Sequence, residues 1–121
     1  MEKKILFADD EEDIRYVTEI ILRVAGYRVE LTGDPAFHSN MNTADLPDLF
    51  LLDRHMFGAD MLETCKQLKT DPRTSHIPVI MVSADPHIKD LYKPAMADDF
   101  VAKPFERYEL IDAVARQLSK K

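Results

Sequence analysis

The stretch KKILFADDEEDIR, residues 3–15, contains an apolar run, Ile5–Ala8, that stops abruptly at Asp9-Asp10. A short apolar run without polar alternation suits a strand covered on both faces, as in a parallel sheet between helices. Glu11, Glu12 and Asp13 follow, where negative charge complements the first turn of a helix. Ile14, Val17, Ile21 and Val24 then recur at spacings of three and four, and Gly26 supplies a helix stop. The segment reads as strand, acidic pair, helix.

The same unit recurs along the chain. Apolar runs appear at Leu49–Leu52, Val79–Val82 and Phe100–Ala102, with a weaker one at Tyr27–Leu31. Leu62, Cys65 and Leu68 form a helical stripe ended by Asp71-Pro72. Leu110, Ile111, Val114 and Leu118 form another after Phe105. Weaker helices are expected near Asp34–Ser39 and Pro86–Tyr92. Five strands alternating with five helices predict an open, doubly wound parallel sheet, since right-handed crossovers place helices on both faces. Sheets of this kind bind ligands beyond the carboxyl ends of their strands. Asp9-Asp10 follows the first strand, Asp53 the third, Ser83 the fourth and Lys103 the fifth, so all are expected at one edge.

Composition narrows the function classes. A chain of 121 residues, 45% apolar and 31% charged, predicts one globular domain over residues 1–121. The net charge of −6, with lysines and arginines scattered, disfavours nucleic acid as a direct ligand. Cys65 is the only cysteine, so no internal disulfide is possible, and its helical stripe suits an inert buried thiol in a reducing compartment. The first apolar run is too short for a signal peptide, and no segment approaches the roughly 18 apolar residues of a membrane span. The expectation is a cytoplasmic protein. With three glycines in the chain there is no glycine-rich phosphate loop, which disfavours a flavin or nucleotide binder.

Asp9, Asp10 and Asp53 repel one another when ionised unless positive charge intervenes. Lys103 supplies one charge, and Mg²⁺ suits such a site because it takes a few carboxylates plus water and phosphate oxygens. Zinc wants nitrogen or sulfur ligands. With Mg²⁺ present, Asp53 can attack phosphorus to form an acyl phosphate. Lys103 and the Ser83 hydroxyl then hold the equatorial oxygens, where charge develops.

At this point the residues resemble a family, the receiver domains of two-component response regulators. KKILFADDEEDIR is similar to that family's first strand and acidic pair, and FLLDRHMFGADMLE (residues 50–63) to its phosphorylation segment. VIMVSA (79–84) resembles its fourth strand with the hydroxyl residue, and ADDFVAKPF (97–105) its fifth strand and lysine motif. The resemblance spans essentially the whole chain and implies a flavodoxin-like (βα)5 sandwich with strand order 2-1-3-4-5. It implies Asp53 as phosphoacceptor, Asp10 as a direct Mg²⁺ ligand and Asp9 as one acting through water. The His55 backbone carbonyl completes the protein ligands, Lys103 pairs with the phosphoryl group, and Lys103-Pro104 is a cis peptide. Ser83 and Phe100 match the switch positions, while Arg54, His55 and Ala84 flank the reaction and modulate it. The partners implied are a histidine kinase or histidine phosphotransfer protein as donor, and a downstream protein target of unknown identity. No membrane partner is implied. The chain is expected to act as a phosphoacceptor switch rather than an enzyme.

Some positions depart from that pattern. Phe57 stands where the family has proline, which should loosen the loop after the acceptor. Met61 and Met96 replace glycines. Pro86 and Pro94 fall in a shortened interval between Ser83 and Lys103, so the fourth helix should be short or displaced, and the chain a monomer or weak dimer. His38, His76 and His87 lack a metal-ligand spacing and are expected at the surface. Two alternatives compete: an interaction module that works without phosphorylation, and a Mg²⁺-dependent phosphohydrolase using an aspartyl phosphate. The adjacent Asp9-Asp10 pair, in place of a DxD motif, and the lack of a cap argue against the second.

Overall fold

The computed structural model describes residues 2–119; Met1 and Lys120-Lys121, the ends of the expected domain, lie outside the described residues. Five strands form one parallel sheet: β1 (Lys4–Ala8), β2 (Arg28–Thr32), β3 (Leu49–Asp53), β4 (Val79–Ser83) and β5 (Asp99–Ala102). Their order is β2-β1-β3-β4-β5, as the family resemblance implied. Helices α1 (Glu12–Val24), α2 (Met61–Thr70), α3 (Ile88–Leu91) and α4 (Arg107–Ser119) cover the faces.

The central strands are buried on both sides because their alternate residues serve two separate cores. Ile5, Phe7, Leu49, Leu51, Ile80 and Val82 face Leu22 of α1 and Leu110 and Val114 of α4. Leu6, Ala8, Phe50, Leu52, Val79 and Met81 face Met61, Cys65 and Leu68 of α2. Each large side chain so buried contributes roughly 1.5–3 kcal/mol, which explains runs without polar alternation.

Several expectations are corrected. The segment near Asp34–Ser39 forms a single 3-10 turn, Phe37–Asn40, so four α-helices and this turn stand where five helices were expected. In α1 the buried positions are Thr18 and Leu22, whereas Val17 is 54% and Val24 81% exposed. Two apolar stripes run along this helix, and the one through Val17 and Val24 faces outward. His38 is half-buried, its ring edge-on to Phe37, whereas His76 and His87 are exposed as expected. Helix α3, between Pro86 and Pro94, is short as anticipated.

Candidate functional site

Register brings the chemistry together. Ala8 pairs with Leu52, Asp53 with Val82, and Ser83 with Ala102, so Asp9, Asp53, Ser83 and Lys103 emerge at neighbouring strand ends. The backbone N–H of Lys103 donates to the Ser83 carbonyl at 2.8 Å, fixing the last of them. Lys103-Pro104 is cis. Asp10, Glu11, Asp53, His55, Ser83, Ala84, Asp85 and Lys103 line a cleft of about 390 Å³.

Asp9, Asp10 and Asp53 can each offer a carboxylate oxygen within 4.8 Å of the others. The Asp9 side chain is fully buried; its Oδ1 accepts the Glu11 N–H at 2.9 Å and its Oδ2 lies 3.4 Å from Lys103 Nζ. Lys103 Nζ lies closer, 3.0 Å, to Asp53 Oδ1. One ammonium therefore contacts two of the three carboxylates. Burial pushes the Asp53 carboxyl up; Lys103 pulls it back, the Asp9 and Asp10 charges add to the rise, and the net shift is upward. Burial acts the other way on Lys103, but the hydrogen bonds and charges of Asp53 and Asp9 outweigh it and hold the ammonium above its ordinary value. An oxygen-only donor set with excess negative charge fits Mg²⁺ rather than zinc.

The remaining predicted residues take distinct places. Ser83 is buried, and its Oγ accepts the Asp85 N–H at 3.0 Å, leaving the hydroxyl proton for another acceptor. Phe100 is half-buried against Tyr92, with ring centroids 4.9 Å apart. Ala84 and His55 are exposed at the cleft, and Arg54 is half-buried beside it. Cys65 is buried in the core, and burial pushes its thiol up to about 12, in keeping with an inert role.

Three further contacts complete the surroundings of the site. Asp10 Oδ2 accepts the Phe57 N–H at 2.9 Å, a donor that proline at this position would lack. The loop expected to loosen is thus tied to the acidic pair, within a two-residue hairpin linking His55–Met56 to Ala59–Asp60. Asp60 Oδ1 accepts the Leu62 N–H at 3.1 Å and caps α2. Asp85 reaches the cleft from the loop after β4 and pairs with Arg54 Nη1 at 2.6 Å.

The chain that carries this sheet-edge group of paired acids, a central aspartate, a hydroxyl and a lysine has clear relatives. Residues 5–115 match the family model of the response regulator receiver domain, and the chain belongs to that family, which works in two-component phosphorelay signalling. PhoB, the phosphate regulon transcriptional regulatory protein of Pseudomonas aeruginosa, is 37% identical over 114 residues, covering 90% of this chain and 48% of PhoB. A Chloroflexus aurantiacus chain assigned as a response regulator is 30% identical with a TM-score of 0.92, covering 99% of this chain and 100% of that one. The receiver domain of sensor histidine kinase PA1611 from P. aeruginosa is 24% identical with a TM-score of 0.87 over 99% of this chain and 100% of its own; it shares the fold and has magnesium coordinated in its active-site cleft. This chain spans about half the length, or less, of the curated regulators it matches. Among the described residues no helix is long and apolar enough to cross a membrane.

Proposed function

We propose that Asp53 accepts a phosphoryl group from a histidine kinase or histidine phosphotransfer protein, and that the resulting charge switches a surface read by a downstream protein. The observation that carries this is Lys103 Nζ, 3.0 Å from Asp53 and 3.4 Å from Asp9, within a group of three carboxylates. An Asp53 oxygen forms the new O–P bond as the donor's P–N bond breaks. Lys103 holds one equatorial oxygen, and the Ser83 proton, which its bond to the Asp85 N–H leaves free, is available to another. Asp10, Asp53 and the His55 carbonyl are the residues to hold Mg²⁺, with Asp9 acting through water. When bound, the ion neutralises charge that develops on the transferring group.

In this reading the chain is a phosphoacceptor switch in the cytoplasm, with at most slow self-phosphorylation and self-dephosphorylation. Movement of the Ser83 hydroxyl toward the phosphoryl group vacates space that Phe100 enters, exchanging its contact with Tyr92 for core packing. The binding surface is for protein, as a monomer or weak dimer, with no direct nucleic-acid contact by these residues.

The test is incubation with Mg²⁺ and acetyl phosphate, followed by intact-mass measurement. Wild type gains one phosphoryl group, Asp53→Ala gains none, and EDTA abolishes the gain. Modification that persists in Asp53→Ala removes the acceptor assignment.

A further inference from the structure

Asp85 lines the same cleft as Asp53, Ser83 and Lys103. A further carboxylate beside Asp10, Glu11 and Asp53 in a pocket that admits a phosphoryl anion is unfavourable, because like charges repel most where solvent is partly excluded. This carboxylate is engaged on both oxygens. Its Oδ2 lies 2.6 Å from Arg54 Nη1; its Oδ1 accepts the His87 N–H at 2.9 Å and faces His87 Nδ1 at 3.0 Å.

Arg54 directly follows Asp53, and its backbone is locked from both sides. Its N–H donates to the Val82 carbonyl at 2.9 Å, and its carbonyl accepts the Met61 N–H at 2.6 Å. The guanidinium side chain is only 14% exposed and has Asp60 on its other flank at 3.7 Å. The Arg54–Asp85 pair is consequently less screened than an ordinary surface ion pair. The Asp85 backbone N–H also donates to Ser83 Oγ, so the carboxylate's placement and the hydroxyl's placement are linked.

We infer that Arg54 is a positioning residue for phosphoacceptance: by pairing with Asp85 it neutralises and holds back a carboxylate that otherwise opposes the incoming phosphoryl anion. This rests on the acceptor reading of Asp53 and adds to it a residue that does not touch the phosphoryl group. A purely structural strap requires loss of either partner to act in the same direction. Charge neutralisation requires opposite directions, with the second change rescuing the first.

The experiment titrates beryllofluoride, a phosphoryl mimic, into the Mg²⁺-loaded chain, followed by ¹⁹F NMR, with Mg²⁺ affinity measured separately by calorimetry. Arg54→Gln is expected to weaken beryllofluoride binding by about five- to tenfold, and Arg54→Lys by less. Asp85→Asn binds at least as tightly as wild type, and the Arg54→Gln/Asp85→Asn double variant returns to within about twofold of wild type. Mg²⁺, a cation, binds Arg54→Gln no more weakly than wild type. Unchanged binding in Arg54→Gln, or a double variant as weak as Arg54→Gln alone, overturns the inference. Should Arg54→Gln not fold, Asp85→Asn carries the test, and looser binding there overturns it. Wild type that takes no beryllofluoride removes the acceptor reading and this inference together.

Discussion

Lys103 is shared between carboxylates: its ammonium lies 3.0 Å from Asp53 and 3.4 Å from Asp9, while Asp10 adds a third carboxylate to the group. Because burial and the neighbouring carboxylates raise the Asp53 carboxyl, the folded state keeps this proton to higher pH than the unfolded chain. The stability so contributed is full below the ordinary value of 3.8 and is lost as pH rises through the folded value. At neutral pH the ionised Asp53 is therefore a cost to the metal-free fold. Asp53→Asn is expected to raise the melting temperature at pH 7 in EDTA by about 2–5 °C, with the advantage shrinking toward pH 4. Thermal melts at the two pH values check this, and an unchanged or lower melting temperature at pH 7 contradicts it. Lys103→Met separates the two ionic demands of the site. Removing the ammonium should tighten Mg²⁺ in calorimetry, since a repelling cation is gone, and slow acetyl phosphate acceptance by about a hundredfold.

Helix α1 shows how an apolar pattern can be legible and still ambiguous. Ile14, Thr18, Ile21 and Leu22 face or border the core, whereas Tyr16, Val17, Ile20 and Val24 line the outer side. Both sets follow helical spacing, so periodicity establishes the helix without choosing its inward face. Leu22→Ala should cost about 3 kcal/mol in urea unfolding, and Val24→Ala less than about 0.5 kcal/mol. The hairpin after β3 has the opposite character, since Phe57 and Gly58 have φ of 49° and 80°. A left-handed conformation is easy for glycine and costs phenylalanine roughly 1–2 kcal/mol. Phe57 is 71% exposed, so little packing offsets that strain. Phe57→Asn keeps the N–H to Asp10 and is expected to stabilise the fold by about 0.5–1 kcal/mol. Equal or lower stability in the same unfolding assay rejects the strain argument.

Excess negative charge at the sheet edge is expected to couple folding of the molecule to a divalent cation. Folding brings Asp53 to the Asp9-Asp10 pair, from which it is distant along the chain, so a cation held by all three carboxylates stabilises the native state alone. Mg²⁺ at ten times its dissociation constant should add about 1.4 kcal/mol, seen as a calorimetric melting shift that EDTA reverses. Asp53→Asn should show a smaller shift, because one of the three oxygen donors loses its charge.

Strand runs, the acidic pair, Asp53, Ser83 and Lys103 were legible in sequence because burial on both faces forces continuous apolar runs, and topology then puts the strand ends together. The phase of α1, the 3-10 turn at Phe37–Asn40, the Phe57 tie to Asp10 and the Arg54–Asp85 pair were not. Each depends on which of several equally permitted contacts packing selects, or on partners far apart in the chain: Asp10 and Phe57 are 47 residues apart, Arg54 and Asp85 31. Local pattern determined which segments became strands and where charge had to collect. Only the folded chain decided which donor each carboxylate met, because hydrogen-bond and ion-pair partners are set by position in space.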